Sequence, residues 1–569
     1  MKKRQIAILL AMALGIFLCM LDTTIMNIAL PVMQTGLRTD LNTLQWALNV
    51  YTITFASLTI PLGRIGDQLG KNKIYLLGLI LFLMGSLISG LSTYVGTLIV
   101  GRGIQSVGAA IVFPASMTIG INAFELSRRN MAVLVLGITQ GLAAALGPTI
   151  GGIVTQIWGW RSIFFINIPV VVISIVLCVL LLPLKHEKTI HTNLDITGML
   201  LSIVTLFSLV LALVKGSDWN WSSWKIVGLF IIFGLSIGLF IWNESKISNP
   251  MIRLDLFKYR HFVGSVMITV FSGIFFVGVL VLMPSFFTKV QGYTEFKAAL
   301  MITPASVMVF IFSPISGLLL EKIGSRLLIT LGITIMALGY VGLSMMNPAI
   351  YWQLVIACML VGMGYGIIIG PITVLSAGNF TGELLTASQS VIGVFRQIGT
   401  VLAVAIFVSI FSTNLGIAKK QVWHSAEKQV QQLSVAQSIK KETLKHTYHD
   451  LYQTEKVSSR KQTAISSKME KRLSDAQAKQ YFSSHQGLSS SVKRTIYNKI
   501  SLSVTHKVKL INHQIRQYQH SITKVVNQKI TQAFMRPYQI AMPLVWLMLV
   551  VVFVFEKRSS KNINKSKII

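Results

Sequence analysis

The chain alternates between long apolar runs and short polar gaps. Fourteen runs stand out, near residues 6–33, 45–62, 74–93, 97–122, 131–156, 162–183, 196–215, 224–242, 262–286, 296–319, 326–347, 352–375, 387–412 and 538–555. Each is long enough to cross roughly 30 Å of hydrocarbon as a helix. The pattern predicts an all-α polytopic membrane protein with 14 transmembrane helices.

The gaps carry charge unevenly. Lys2, Lys3 and Arg4, then Arg64, Lys71 and Lys73, Arg128 and Arg129, Lys185 and Lys188, and Lys246, Arg253, Lys258 and Arg260 fall in alternate gaps. The tail, with Lys557, Arg558, Lys561, Lys565 and Lys567, belongs to the same set, whereas the gap at 217–223 holds Asp218 and two Trp. Basic short loops stay cytoplasmic, so both termini are expected inside, as an even number of spans requires. The start MKKR with its apolar run reads as a retained first span, because the run is too long for a signal peptide and has no small-residue cleavage site.

Composition agrees. Hydrophobic residues make up 53% and charged residues 12%, against roughly 25% charged in soluble chains. Cys19, Cys178 and Cys358 all lie inside apolar runs and read as small packing hydrophobes, with neither disulfide nor zinc spacing. No phosphate loop, metal cluster or nucleophile elbow supports an enzyme. No cofactor is expected.

Residues 413–537 break the alternation. They hold 22 Lys or Arg against 6 Asp or Glu, a net of +16, half of the chain's +32. Span parity puts this segment outside, and long segments cross largely regardless of charge. Val504, Val508, Ile511, Ile515, Tyr518, Ile522 and Val525 recur in steps of four and three, a coiled-coil seam. Val422, Ala426, Val430, Leu433, Leu444, Tyr448 and Leu451 recur at helical spacing in the first half, and Gly487 offers a turn. The prediction is a large external basic helical hairpin between spans 13 and 14, able to contact anionic envelope components. Nucleic acid is not an expected partner, since the segment would lie outside the cell.

The sharpest chemical signal is Asp22, a carboxylate inside the first apolar run. A charge at bilayer depth must pair, face water or take up a proton. Asp22 is therefore a proton-coupling candidate, since burying it neutral costs far less than burying it charged. Arg102, with Gln105 and Gly108 in the fourth run, must likewise pair or line water. Arg396 in the thirteenth is a second buried cation, which reads as snorkelling or paired with a carbonyl or helix end at least as well as a transport residue.

Three motifs point to one family. Gly63-Arg64-Ile65-Gly66-Asp67-Gln68-Leu69-Gly70-Lys71-Asn72-Lys73 between runs 2 and 3 resembles the loop signature of the major facilitator superfamily, in which the Asp and basic residues lock a gate. Gly141, Gly147, Pro148, Gly151 and Gly152 in run 5 resemble the antiporter signature of that superfamily's drug exporters. Leu21-Asp22-Thr23-Thr24-Ile25-Met26-Asn27-Ile28-Ala29-Leu30-Pro31 resembles the first-span motif of the fourteen-span drug:proton antiporters, with Thr24, Asn27 and Pro31 as its members here. Trp158-Gly159-Trp160-Arg161, Phe164, Asn167 and Pro169 resemble that family's junction between spans 5 and 6. The stretch around Arg102 is close to its arginine motif, with Ser106 in place of a glycine. The resemblance covers roughly residues 1–412 and 538–556; the 413–537 segment departs from it.

The resemblance implies the major facilitator fold in a 6+2+6 arrangement. Residues 1–183 would form a six-helix bundle, 184–261 an inserted pair with linkers, 262–412 the first five spans of a second bundle, 413–537 the hairpin, and 538–569 the last span and tail. It implies proton-coupled efflux of small amphipathic or drug-like compounds by alternating access, with small molecules, protons and lipid as partners. Two other readings stand beside it: export of a lipid, glycolipid or host-defence peptide using the hairpin, and a membrane-anchored sensor or assembly factor. Spans 7 to 14 hold no central acid, which disfavours strongly dicationic substrates.

Overall fold

The computed structural model describes residues 3–125, 128–184, 187, 195–247, 250–348, 350–378, 380–452, 465–485 and 489–555. The side chains of Pro31, Leu41, Asn42, Asn130, Ala144, Ala145 and Glu295 fall outside the description, as do Lys2, Lys185, Lys188, Gly487 and the tail from residue 556. Among the described residues there is helix and no strand.

The helices are α1 (Lys3–Gly36), α2 (Leu41–Leu69), α3 (Lys71–Gly90), α4 (Val95–Asn122), α5 (Arg129–Trp158), α6 (Ser162–Phe165), α7 (Asn167–Leu181), α8 (Ile196–Lys215), α9 (Trp224–Lys246), α10 (Arg260–Lys289), α11 (Glu295–Ile323), α12 (Ser325–Met345), α13 (Tyr351–Ala377), α14 (Gly382–Gln431), α15 (Gln437–Tyr452), α16 (Ser467–Ser484) and α17 (Ser490–Leu547). Asp40 and Asp195 cap α2 and α8, accepting from the backbone N–H of Thr43 and Gly198 at 2.8 Å. A capping carboxylate satisfies an orphan N–H and complements the helix dipole, which is how these two of the scarce acids are used.

Twelve described helices are long and apolar enough to cross a membrane, thirteen when the two limbs of α5 count as one span. This falls short of the fourteen expected. The helix that fails the test is α2, where Gln45, Asn49, Thr52, Thr54, Ser57 and Thr59 are interleaved with the apolar residues. Its polar content is absorbed by packing, since α2 lies against α4 and α8 and Ser57 and Thr59 are buried. Helix α5 bends by 47° between Met131–Ala143 and Leu146–Trp158. Pro148 lacks the N–H that would bond to the carbonyl four residues earlier, and the bend sits at that place.

By backbone proximity the chain divides into two units. The first comprises Met1–Ser285, Thr294–Ile410 and Pro537–Ile569; the second comprises Phe286–Tyr293 and Phe411–Arg536. In the first, α1 packs on α4, α5 and α7, α3 on α4, and α11 on α12, α13 and α5. Helix α9 leaves Phe230, Ile231, Leu235, Leu239 and Trp242 exposed, an apolar face suited to lipid rather than water.

In the second unit α17 is a spine. Ala426 and Val430 of α14 pack with Tyr518 and Ile522, and Ile465 and Ile439 with Val504 and Val508. Thr505 donates to Glu470 at 2.5 Å and Tyr497 to Asp475 at 2.8 Å, so α16 runs antiparallel to α17. The seam is buried at Val504, Val508, Ile515, Tyr518 and Ile522, then departs from expectation: Val526 and Ile530 take the buried places, not Val525. The step has lengthened from 3.5 to the straight-helix repeat. Tyr448 is exposed, unlike its predicted neighbours.

Candidate functional site

A buried polar network forms where α1, α3, α4 and α7 meet, with Arg102 Nη2 and Asn167 Oδ1 left unpartnered. Arg102 donates through Nη1 to Asp22 Oδ2, and to Gln105 Oε1 at 2.9 Å. Gln105 Nε2 donates to the other carboxylate oxygen, Asp22 Oδ1, at 2.9 Å, and to Ser86 Oγ at 3.0 Å. Asn167 Nδ2 reaches Asp22 Oδ1 at 3.3 Å and Ser86 Oγ at 3.0 Å. Asp22, Ser86, Arg102, Gln105 and Asn167 are all fully buried. The Arg102 guanidinium lies 4.1 Å from the centroid of the Tyr51 ring, a cation–π contact that adds to its stabilisation. The Ser106 hydroxyl donates to the Tyr51 carbonyl at 2.6 Å, so the residue departing from the arginine motif ties α4 to α2.

A second site lies at the far end of α2. Asp67 is 16 residues beyond Tyr51, about 24 Å along a helix. Arg64 pairs with Glu383 of α14 at 2.9 Å, and Lys71 with Asp67 at 2.8 Å. Thr386 joins them, donating to Asp67 at 3.1 Å and accepting from Lys71 at 2.9 Å. Asp67 lies past the apolar stretch of its helix. Burial pushes its carboxyl up from the ordinary range, with Lys71, Thr386 and Arg64 pulling the other way. Gly70 turns the chain at φ +106°, and a Cβ there would meet Glu187. A Cβ at Gly63 would press on Ser390 Oγ at 2.7 Å. Gly66 has room, its nearest neighbour being Ile74 at 3.7 Å, and Lys73 is exposed.

The major facilitator superfamily profile matches residues 12–404, more than half of the chain. The chain belongs to the major facilitator superfamily. It is 30% identical over 420 residues to the multidrug resistance protein Stp of Mycobacterium tuberculosis, covering 72% of this chain and 77% of that one. It is 29% identical over 417 residues to the multidrug transporter protein MdtP of Bacillus subtilis, covering 73% and 77%. The fold is similar to that of the human organic anion transporter MFSD10, with TM-score 0.50 and 12% identity over 71% of this chain and 94% of that one.

In this facilitator the glycine motif of α5 is a two-sided packing surface. A Cβ at Gly147 would run into Thr24, and one at Gly151 would approach the Ile25 carbonyl at 2.5 Å, so that face lies on α1. Gly141 and Gly152 face α11 through Val309 at 3.4 Å and Ala299 at 3.2 Å. Asn27 is exposed on α1, apart from the Asp22 network.

Gln105 and Asn167 stand out in sequence only as motif members, and nothing there points to Tyr51, Ser86, Glu383 or Thr386 as site residues. Gln105 had a signal, standing three residues from Arg102 and hence on its face. An internal repeat was also available: Gly63, Asp67 and Gly70 recur at the same spacing as Gly317, Glu321 and Gly324. Gly324 turns the chain at φ +92°, much as Gly70 does, and a Cβ at Gly317 would press on Leu134 of α5.

Proposed function

We propose that this facilitator exports small amphipathic, drug-like compounds across the cytoplasmic membrane in exchange for protons, by alternating access. The observation that carries the proton part is Asp22: a fully buried carboxylate in the middle of α1, with Arg102, Gln105 and Asn167 spending their donors on it. Protonating Asp22 would dissolve the ion pair and free Arg102, a local charge change suited to biasing two conformations of the surrounding helices. The contacts of Arg64 with Glu383 and of Asp67 and Lys71 with Thr386 act as a gate in this reading. The glycines of α5 act as the surface on which α1 and α11 are held.

The relatives named for multidrug resistance favour drug-like cargo over a lipid or peptide. In the same reading all fourteen runs span, α2 among them, with both termini cytoplasmic and the basic hairpin outside. The test is a substrate-panel efflux assay in a strain lacking its other pumps, joined to proton movement in inverted vesicles. Substrate-stimulated proton movement is the expected result. Efflux without any proton flux would remove the antiport step, and neither would remove the export reading.

A further inference from the structure

Asn167 opens α7 and turns its amide into the Asp22 network. Its Nδ2 is used twice, donating to Asp22 Oδ1 at 3.3 Å and to Ser86 Oγ at 3.0 Å. Its Oδ1 is sealed from solvent and accepts from nothing, in a side chain that is fully buried. A buried amide oxygen without a donor is costly. The other side-chain amide oxygen of the network is occupied, since Gln105 Oε1 takes Arg102 Nη1 at 2.9 Å. Ser86 Oγ already accepts from both Gln105 and Asn167.

Charged Asp22 needs donors and has three: Arg102, Gln105 at 2.9 Å and Asn167 at 3.3 Å. A protonated Asp22 is itself a donor and needs an acceptor. The two ends of an amide are nearly the same size, so a half-turn of the Asn167 side chain exchanges them without moving the backbone. The oxygen would then stand where the nitrogen now reaches Asp22. The charged and titratable groups facing Asp22 are Arg102 of α4, Tyr51 of α2 and Cys19 of α1 itself. Helix α3 offers Ser86, and α5 turns Gly147 and Gly151 toward α1. Tyr51 donates its O–H to the Cys19 carbonyl at 3.3 Å, and Cys19 its S–H to the Ala109 carbonyl at 3.8 Å.

We propose that Asn167 is a positioning residue for proton uptake: it donates through Nδ2 to the charged Asp22 and, after a half-turn of its amide, accepts through Oδ1 from the protonated one. This rests on the coupling reading, in which a proton from the gradient forms the Asp22 O–H bond and breaks the pair with Arg102. Arg102 then keeps Gln105 Oε1 and the Tyr51 ring. The sign of the effect follows from the distances. As a donor, Asn167 makes the longest of the three contacts, so the charged form loses little without it. As an acceptor it has no equal in the network, so the protonated form loses more. Removing the amide should make proton uptake harder.

The test is an infrared titration of the protonated-carboxyl band, with the full chain in lipid nanodiscs and Asp22→Asn as the blank that identifies the band. Asn167→Leu keeps the size of the side chain and removes both polar atoms. It should move the midpoint of the band about one pH unit toward acid, the scale of one hydrogen bond, and move the pH profile of efflux the same way. Asn167→Thr, whose hydroxyl both donates and accepts, should fall between. Where Asn167→Leu folds poorly, Asn167→Ala removes the same atoms without adding bulk. An unmoved midpoint in these variants, even with efflux reduced, would mean a packing role and overturn the proposal. A midpoint moved toward alkali would mean a donor role alone and overturn it too. So would an acid shift from Tyr51→Phe with none from Asn167→Leu, which would hand the acceptor role to Tyr51. A band that titrates in wild type but ignores position 167 sinks this inference and spares proton coupling at Asp22; the lack of any Asp22-dependent band removes both.

Discussion

Asp22 and Arg102 hold opposite charges in a site buried from solvent, and removing one member of such a pair leaves the other uncompensated. That loss is worth roughly 3–5 kcal/mol, so Arg102→Ala is expected to lower the thermal midpoint of the purified protein by several degrees. Asp22→Asn keeps the shape and one acceptor while ending titration. It should insert at near wild-type abundance and lose pH-driven efflux; unchanged pH-driven transport by an inserted Asp22→Asn protein would take Asp22 out of coupling. Asp67 poses a different question of sign. Its carboxyl is raised by burial in the closed gate, whereas a solvated, open gate leaves a carboxyl at about 3.9. The closed gate therefore binds the proton more tightly. Its contribution to closure is full below the open-state value and is lost as pH rises through the closed-state value. Above both values the charged carboxylate thus works against closure, and there Asp67→Asn should favour the closed gate. Turnover would fall while substrate affinity held, and the difference from wild type would shrink on acidification; an affinity loss as steep as the rate loss would contradict a gating role. Asp22 and Arg102 were legible in sequence because charge inside an apolar run is rare. Ser86 was not, because small polar side chains are common in membrane helices; Asn167 was visible only as a motif member, and the fold alone shows that both face this site.

At the scale of elements, apolar run length anticipates most of the helices, and the exceptions have local causes. Helix α2 carries more polar side chains than the other spans while packing inside the bundle against α4 and α8, a tertiary effect no window of sequence contains. The bend of α5 follows from Pro148 and was readable. The two faces of its glycine stripe were not, since spacing alone does not say which glycine meets a backbone and which a flexible side chain. That difference gives a paired prediction. In a helix interior, Gly→Ala on its own stabilises by roughly 0.5–1 kcal/mol. At Gly141 the added methyl meets only Val309 at 3.4 Å, so Gly141→Ala should leave the thermal midpoint unchanged or slightly raised. At Gly151 it meets the Ile25 carbonyl at 2.5 Å, a backbone atom that cannot rotate away. Gly151→Ala should therefore cost about 1–3 kcal/mol of overpacking and separate α1 from α5. Melting curves in one lipid composition decide it, and equal shifts for the two variants would mean that α1 and α11 hold α5 in the same way.

The whole molecule sets a +16 segment against a topology counted from its spans, and the count decides on which side that segment lies. Parity with fourteen spans and basic short loops on the cytoplasmic face puts residues 413–537 outside; thirteen spans would put the same charge inside, where the positive-inside rule alone would have placed it. The difference turns on α2, whose last turns carry Arg64 and Asp67 of the gate, with Lys71 opening α3. If α2 did not cross, that loop and the start of α1 would lie on opposite faces, and two of the basic gaps would separate. Ser489 is an exposed residue between α16 and α17, and Cys19, Cys178 and Cys358 are all buried, so a cysteine-free background can be made at modest packing cost. Ser489→Cys in that background should react with a membrane-impermeant thiol reagent on intact cells whose envelope admits it. A cysteine replacing Lys73, in the gate loop and also exposed, should react only after the membrane is opened. Both sites reacting on the same side would mean an even number of crossings between them, against the eleven that fourteen spans require. If Ser489→Cys reacted only after the membrane is opened, the hairpin would be cytoplasmic, its basic residues would face the inner leaflet, and the fourteen-span topology would fall with the external placement.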